Sequence, residues 1–241
     1  MRFFKNFTGR TSTLGRLSLV LTLFALAAMS LSATPLTGTI LTNPGDTVFP
    51  GFVPPGTAPG TLLASLVAPY SFVTTAGTTS GSLVSAVYRN SSGTLDFYYQ
   101  VNNAASSATA IARETDDAFN GFLTWLGFRV DGSALAGPLF VDGTVGPVTG
   151  DRNGGTGAVV GFSFNPPDGA KILPGLHSNV LVISTNAVNF QAGNASVIDG
   201  GTQTVASFQP SAATPEPASF ALLGLGLLAV GGIGRKIKAR R

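Results

Sequence analysis

Leu95-Asp96-Phe97-Tyr98-Tyr99-Gln100-Val101 is the stretch that decides the fold. Leu95, Phe97, Tyr99 and Val101 alternate with Asp96, Tyr98 and Gln100. A period of two over seven residues predicts a β-strand with its apolar side on a core and its polar side toward solvent. Just upstream, Ser82 to Arg89 has the composition of a partner strand. Asn90-Ser91-Ser92-Gly93 supplies the small polar residues and the glycine of a hairpin turn between them.

Working outward, further strands are predicted at Leu62–Phe72, Ala108–Arg113, Phe122–Val130, Val159–Phe164, Val180–Thr185 and Thr204–Phe208. Val180-Leu181-Val182-Ile183 is apolar on both sides, the pattern of a central strand. Helical periodicity is missing from the middle of the chain, although Asp116 to Leu123 has room for one short turn. Six prolines between Thr34 and Gly60 prevent regular helix, so residues 33–60 read as an extended arm with turns. Residues 61–208 then form the globular domain, and 209–214 an uncharged tether. Many short strands joined by Gly, Pro and Asn turns predict an all-β fold, a single β-sandwich. A parallel β-helix is the alternative, but no fixed repeat of its length is visible. The 178 residues from Ala33 to Pro210 suffice for one core. Cysteine is absent, which excludes disulfides and thiolate zinc sites.

The two ends follow different rules. Arg2, Lys5, Arg10 and Arg16 precede an apolar run from Leu17 to Met29, and Ser30 and Ser32 stand at −3 and −1 of a cleavage site before Ala33. That layout predicts a signal-peptide helix over residues 1–32 and passage through the secretion translocon. At the other end, residues 218–234 carry no charge. As a helix this segment would be about 25 Å long, the lower limit for crossing a hydrocarbon core. Arg235, Lys236, Lys238, Arg240 and Arg241 close it, and cations are costly to drag through lipid. A transmembrane helix with a cytoplasmic basic lock is therefore expected. These ends hold nine of the fourteen Lys and Arg residues. The middle keeps five basic residues against ten acidic ones, a net charge of −5, so nucleic acid is excluded as a partner.

Pro215-Glu216-Pro217, the apolar span from Ala218 and the terminal basic cluster, in that order, resemble the PEP-CTERM sorting signal of Gram-negative envelope proteins. The resemblance covers residues 215–241. It implies processing by an exosortase, a membrane transpeptidase-like enzyme, and export to the cell surface or extracellular matrix, often alongside exopolysaccharide and biofilm production. The same tail is also labelled an ice-binding protein C-terminal domain, which describes its company and is not evidence of ice binding. Residues Val84–Asn90 and Leu95–Asn103 are similar to segments recurring in the exported domains of such proteins, which have no assigned activity.

Residues with chemical potential are few. His177 is the only histidine, and no Gly-x-Ser-x-Gly elbow accompanies it, so it reads as a loop residue. Glu114, Asp116 and Asp117 form the densest acidic group and read as a solvated segment; a glycosidase would need one of them desolvated opposite a second acid. Asp142, Asp151, Asn153 and Asp168 lie in or beside Gly-rich loops but lack the spacing of a calcium loop. Tyr98, on the polar side of its strand, is the best placed residue to stack on a glycan. Trp125 reads as core. No catalytic residue, metal or cofactor is expected. These features predict a non-enzymatic exported protein. The alternatives are a carbohydrate-binding module of the exopolysaccharide matrix using Tyr98 or loop calcium, and a secreted glycan hydrolase using Asp116 or Asp117.

Overall fold

The computed structural model describes residues 39–41, 43–135, 140–165 and 170–212. Within them lie β1 (Thr39–Leu41), β2 (Thr47–Val48), β3 (Gly51–Phe52), β4 (Thr61–Thr74), β5 (Gly77–Arg89), β6 (Leu95–Asn103) and β7 (Arg113–Asp116). They continue with β8 (Thr124–Arg129), β9 (Thr149–Arg152), β10 (Val160–Ser163), β11 (Val180–Thr185), β12 (Asn189–Ile198) and β13 (Thr202–Ser211). The only helical element among the described residues is a single 3-10 turn at Gly132–Ala134. No described helix is long and apolar enough to cross a membrane. The expected signal helix (1–32) and transmembrane helix (218–234) lie outside the described residues.

Two sheets form. The first runs β1-β8-β11-β6-β5-β4, with β3 added in parallel to β8; the second runs β13-β12-β7-β10-β9-β2. The β5–β6 hairpin forms where the alternation predicts it, with Arg89 opposite Leu95 and Val87 opposite Phe97. Its turn is built on Asn90, whose Oδ1 accepts from the backbone N–H groups of Ser92 and Thr94. Gly93 completes it at φ 82°, a left-handed conformation that side chains with a Cβ disfavour. Leu95, Phe97, Tyr99 and Val101 then face inward with Leu181 and Ile183 of β11. Phe162 of β10 and Val197 of β12 meet them from the second sheet, and all are buried in one cluster.

The first sheet is covered on its other side too. Val84, Ala86 and Tyr88 of β5, Tyr98 of β6 and Val180 and Val182 of β11 form a second buried cluster, closed over by Val53, Leu135 and Phe140. The cover comes from the arm and from the loop after β8. This explains why Val180–Ile183 is apolar at every position: β11 is central and buried on both sides.

Several boundaries differ from the sequence reading. The Pro-rich arm contributes β1 and β3 to one sheet and β2 to the other, so its described part is built into the sandwich. The strand expected at 108–113 begins only at Arg113. Residues 117–123 form an irregular loop with Ala118 at φ 65°, and no helical turn. β12 escaped prediction because Gln191-Ala192-Gly193-Asn194 interrupts its apolar pattern. Its ten-residue pairing with β13 holds it in place. β13 takes in Gln209, Pro210 and Ser211, residues expected to belong to the tether. Pro210 is tolerated because β13 is an edge strand, as is β4, which carries Pro69. A proline on each of these two edge strands also hinders their pairing with a second molecule.

Candidate functional site

Tyr98 overturns the expectation placed on it. Its side chain is fully buried and tilts against Tyr88 at a ring separation of 4.8 Å, under the cover of the arm and the post-β8 loop. It therefore offers no surface for stacking on a sugar. Gln100 shows how the cover is fastened. Its amide donates to Val141 O (2.7 Å) and accepts from Val141 N–H (2.9 Å), taking the place of a neighbouring strand. Arg129 fastens the arm. Its guanidinium forms a two-pronged pair with Asp131 (both 2.8 Å) and donates through Nη1 to Thr57 O (2.9 Å), while Asp131 also accepts from Gly56 N–H. Burial opposes the Arg129 charge, but the Asp131 bonds outweigh it and raise its pKa; the same pair lowers that of Asp131. The Tyr98 hydroxyl sits near this guanidinium without a hydrogen bond of normal geometry, and burial pushes its pKa up. Tyr98→Phe is accordingly expected to change stability by less than about 1 kcal/mol, whereas Tyr98→Ala should cost about 3–5 kcal/mol through the void it leaves. Urea denaturation of the two variants tests this; equal losses would show that the hydroxyl, and not the ring, holds the cover.

The acidic group divides in a way its composition did not predict. Asp117 is exposed, as expected. Glu114 and Asp116 are completely buried. They lie two apart on the inward face of β7, flanked by Val197 and Ala195 on β12 and by Phe162 and Val160 on β10. None of their four carboxyl oxygens makes a hydrogen bond of normal geometry, although the two acids and the Tyr99 hydroxyl lie close enough to interact. Burial raises the Glu114 pKa to about 8 and that of Asp116 well above the carboxylate range, Glu114 adding to the rise at Asp116. Tyr99 reaches across from β6 toward this pair and donates its hydroxyl to Phe208 O at 2.9 Å. A third acid, Asp96, is buried on the opposite side of the first sheet. It accepts from Asn90 Nδ2, and burial raises its pKa to about 7. A glycosidase acid must be desolvated and also reach substrate. Asp116 meets the first condition inside the core, Asp117 neither, and no described cleft joins them.

The remaining candidates are dispersed. His177 Nδ1 lies 2.9 Å from Asn102 Oδ1, and Ser178 Oγ accepts from Val101 N–H, so neither is arranged as nucleophile and base. Asp142 binds Ser133, and Asp151 forms a two-pronged pair with Arg113 at 2.6 and 2.7 Å. Asn153 caps the backbone of Val159; Asp168 lies outside the described residues. Among the described residues no three His, Cys, Asp or Glu side chains converge as a metal site. Trp125, expected in the core, is only partly buried on β8, between Ile40 and Ser184. A cavity of about 280 Å³ opens beside Pro44, Phe122, Leu123, Arg152 and Thr156. The guanidinium in its wall is already engaged with Gly157 O (2.7 Å), Phe119 O and Phe122 O (3.0 Å), which ties two loops together.

The sandwich closes with β13, and the targeting chemistry lies in the tail beyond it. Residues 213–236 match the PEP-CTERM protein-sorting motif. The PEP-CTERM match takes in Pro215, Glu216 and Pro217, the uncharged span, and Arg235 and Lys236 of the basic cluster. The chain is a PEP-CTERM sorting domain-containing protein, targeted to an exosortase and exported to the cell envelope or surface. The motif covers about a tenth of the chain and says nothing of the β-domain. No curated protein and no solved structure matches the chain.

Proposed function

We propose that this protein is a non-enzymatic component of the cell surface or extracellular matrix, a β-sandwich delivered by its PEP-CTERM tail. The match at residues 213–236 carries the delivery part of this reading. The physical support is the arrangement of the tail. An uncharged span of 17 residues ahead of five cations resists passage through lipid and would halt the chain in the inner membrane as a helix over residues 218–234. The Pro-Glu-Pro segment then stands on the exported side, separated from the end of β13 by three residues. Proline fixes φ and lacks an N–H, chemistry that disfavours helix at this segment. The signal peptide would engage the translocon, and the matrix polysaccharide is the partner class that such delivery brings within reach.

The decisive measurement is the intact mass of the protein from its native host, with and without its exosortase. The wild-type host should yield a chain beginning at Ala33 and ending near Pro215, with any added group visible as excess mass. The exosortase-deficient host should retain the tail to Arg241. A full-length C-terminus in both hosts would refute the proposal.

A further inference from the structure

The centre of the sandwich holds an arrangement that neither export nor display requires. Two carboxyls, Glu114 and Asp116, are fully buried side by side, interacting with each other but with no oxygen in a hydrogen bond of normal geometry. Charge on either one would have to be balanced by its surroundings, and the surroundings offer very little. β12 presents Ala195 and Val197, and β10 presents Val160 and Phe162. From β6 comes Tyr99, a neutral phenol that donates to Phe208 O and whose nearby hydroxyl only partly offsets the rise at Asp116, and from β13 the small hydroxyl of Ser207, buried near Tyr99. Arg113, next to Glu114 on β7, is the one cation close enough to favour its charge. Its guanidinium, however, is turned to the other side of the sheet and held by Asp151 and Ser163. A buried carboxylate without a counter-charge is so costly that the group takes a proton instead.

We propose that Glu114 and Asp116 form a proton-binding pair, so that the domain folds by taking up protons into its core and loosens along β7 when they are lost. In the unfolded chain both groups have ordinary carboxylate pKa values; in the folded chain both are raised. Between those limits the folded state holds more protons than the unfolded one, so the folding constant falls as pH rises and levels off above the folded values. The chain is thus tightest in acidic surroundings. A divalent cation is the competing way to neutralise the pair. Calcium wants six to eight oxygens, whereas two carboxyls and a hydroxyl or two are what this core supplies.

Urea denaturation of the purified full-length protein, read by its single tryptophan, Trp125, tests the proposal between about pH 5 and about pH 9. The wild-type folding constant should drop by roughly tenfold per pH unit for each proton held, up to about a hundredfold where both are. Glu114→Gln combined with Asp116→Asn should flatten most of that slope and exceed wild type in stability at the alkaline end. Asp96→Asn, on the other side of the first sheet, should leave the pair's share of the slope intact. Should the double variant fail to fold, infrared spectroscopy of the wild type replaces it. A protonated carboxylic-acid band that persists at neutral pH and disappears on alkaline loosening supports the pair. Absence of that band at neutral pH, equal slopes in wild type and double variant, or alkaline stabilisation by excess calcium that Glu114→Gln abolishes would each overturn it.

Discussion

Arg129→Ala is expected to be among the most damaging single substitutions in the domain, and to act on the arm before the core. The Arg129 side chain is 1% exposed, yet it holds three things at once: Asp131 on its own strand's exit, the Thr57 carbonyl of the arm, and the space beside Tyr98. Removing it strips Asp131 of its counter-charge, leaves the Gly56 N–H as its link to the arm, and empties a buried volume on the outer face of the first sheet. Breaking a buried pair from one side costs about 3–5 kcal/mol. Asp131 keeps 16% exposure and can draw in water, which argues for the lower end, about 3 kcal/mol. The loss should show as a lower urea midpoint. Limited proteolysis should cut first between about Pro54 and Gly60, whose backbone depends on the Arg129–Asp131 pair. A variant with an unchanged midpoint and a protected arm would show that apolar cover alone holds this face.

The second large effect concerns the tail. Changing Pro215→Ala, Glu216→Ala and Pro217→Ala together should abolish shortening of the chain, leaving essentially no processed product. Alanines would remove the residues that oppose helix there, so that a helix formed over the apolar span would be free to run back through the segment. The β-domain should be unaffected, because its last strand ends at Ser211 and its last core residue on that strand, Pro210, lies upstream. Immunoblots of membrane and exported fractions distinguish the outcomes. Processing of the triple variant at the wild-type rate would move recognition away from Pro-Glu-Pro, and a domain that unfolded with it would contradict the boundary drawn at β13.

How much was legible beforehand depended on what kind of signal each residue sends. The alternation from Leu95 to Val101 correctly placed its strand and inward face, because the period of two is a local property of the chain. The same alternation misled about the other face. Asp96, Tyr98 and Gln100 read as solvent-facing, but segments distant in sequence, around Val53 and Phe140, close over Tyr98 and Gln100, and Asp96 is buried beside Asn90. Polarity predicts exposure only when nothing else covers the surface, and that is a matter of tertiary structure. Glu114 and Asp116 failed for a related reason. Arg113-Glu114-Thr115-Asp116 alternates too, with its acids on one side, yet a core-facing pair of carboxylic acids is rare enough that composition points the other way. The sorting tail, by contrast, was readable because its chemistry lies in the linear order of motif, span and cations.

The extent of β13 sets a clearance. Only Ala212, Ala213 and Thr214 separate Ser211, still paired within a sheet, from the first proline of the sorting signal. Fully stretched, three residues reach about 10–11 Å. An exosortase acting at the sorting signal would have at most that length of chain between the signal and the end of β13, unless the last strand peels away first. Lengthening that spacer would then be expected to ease processing, and shortening it to hinder it.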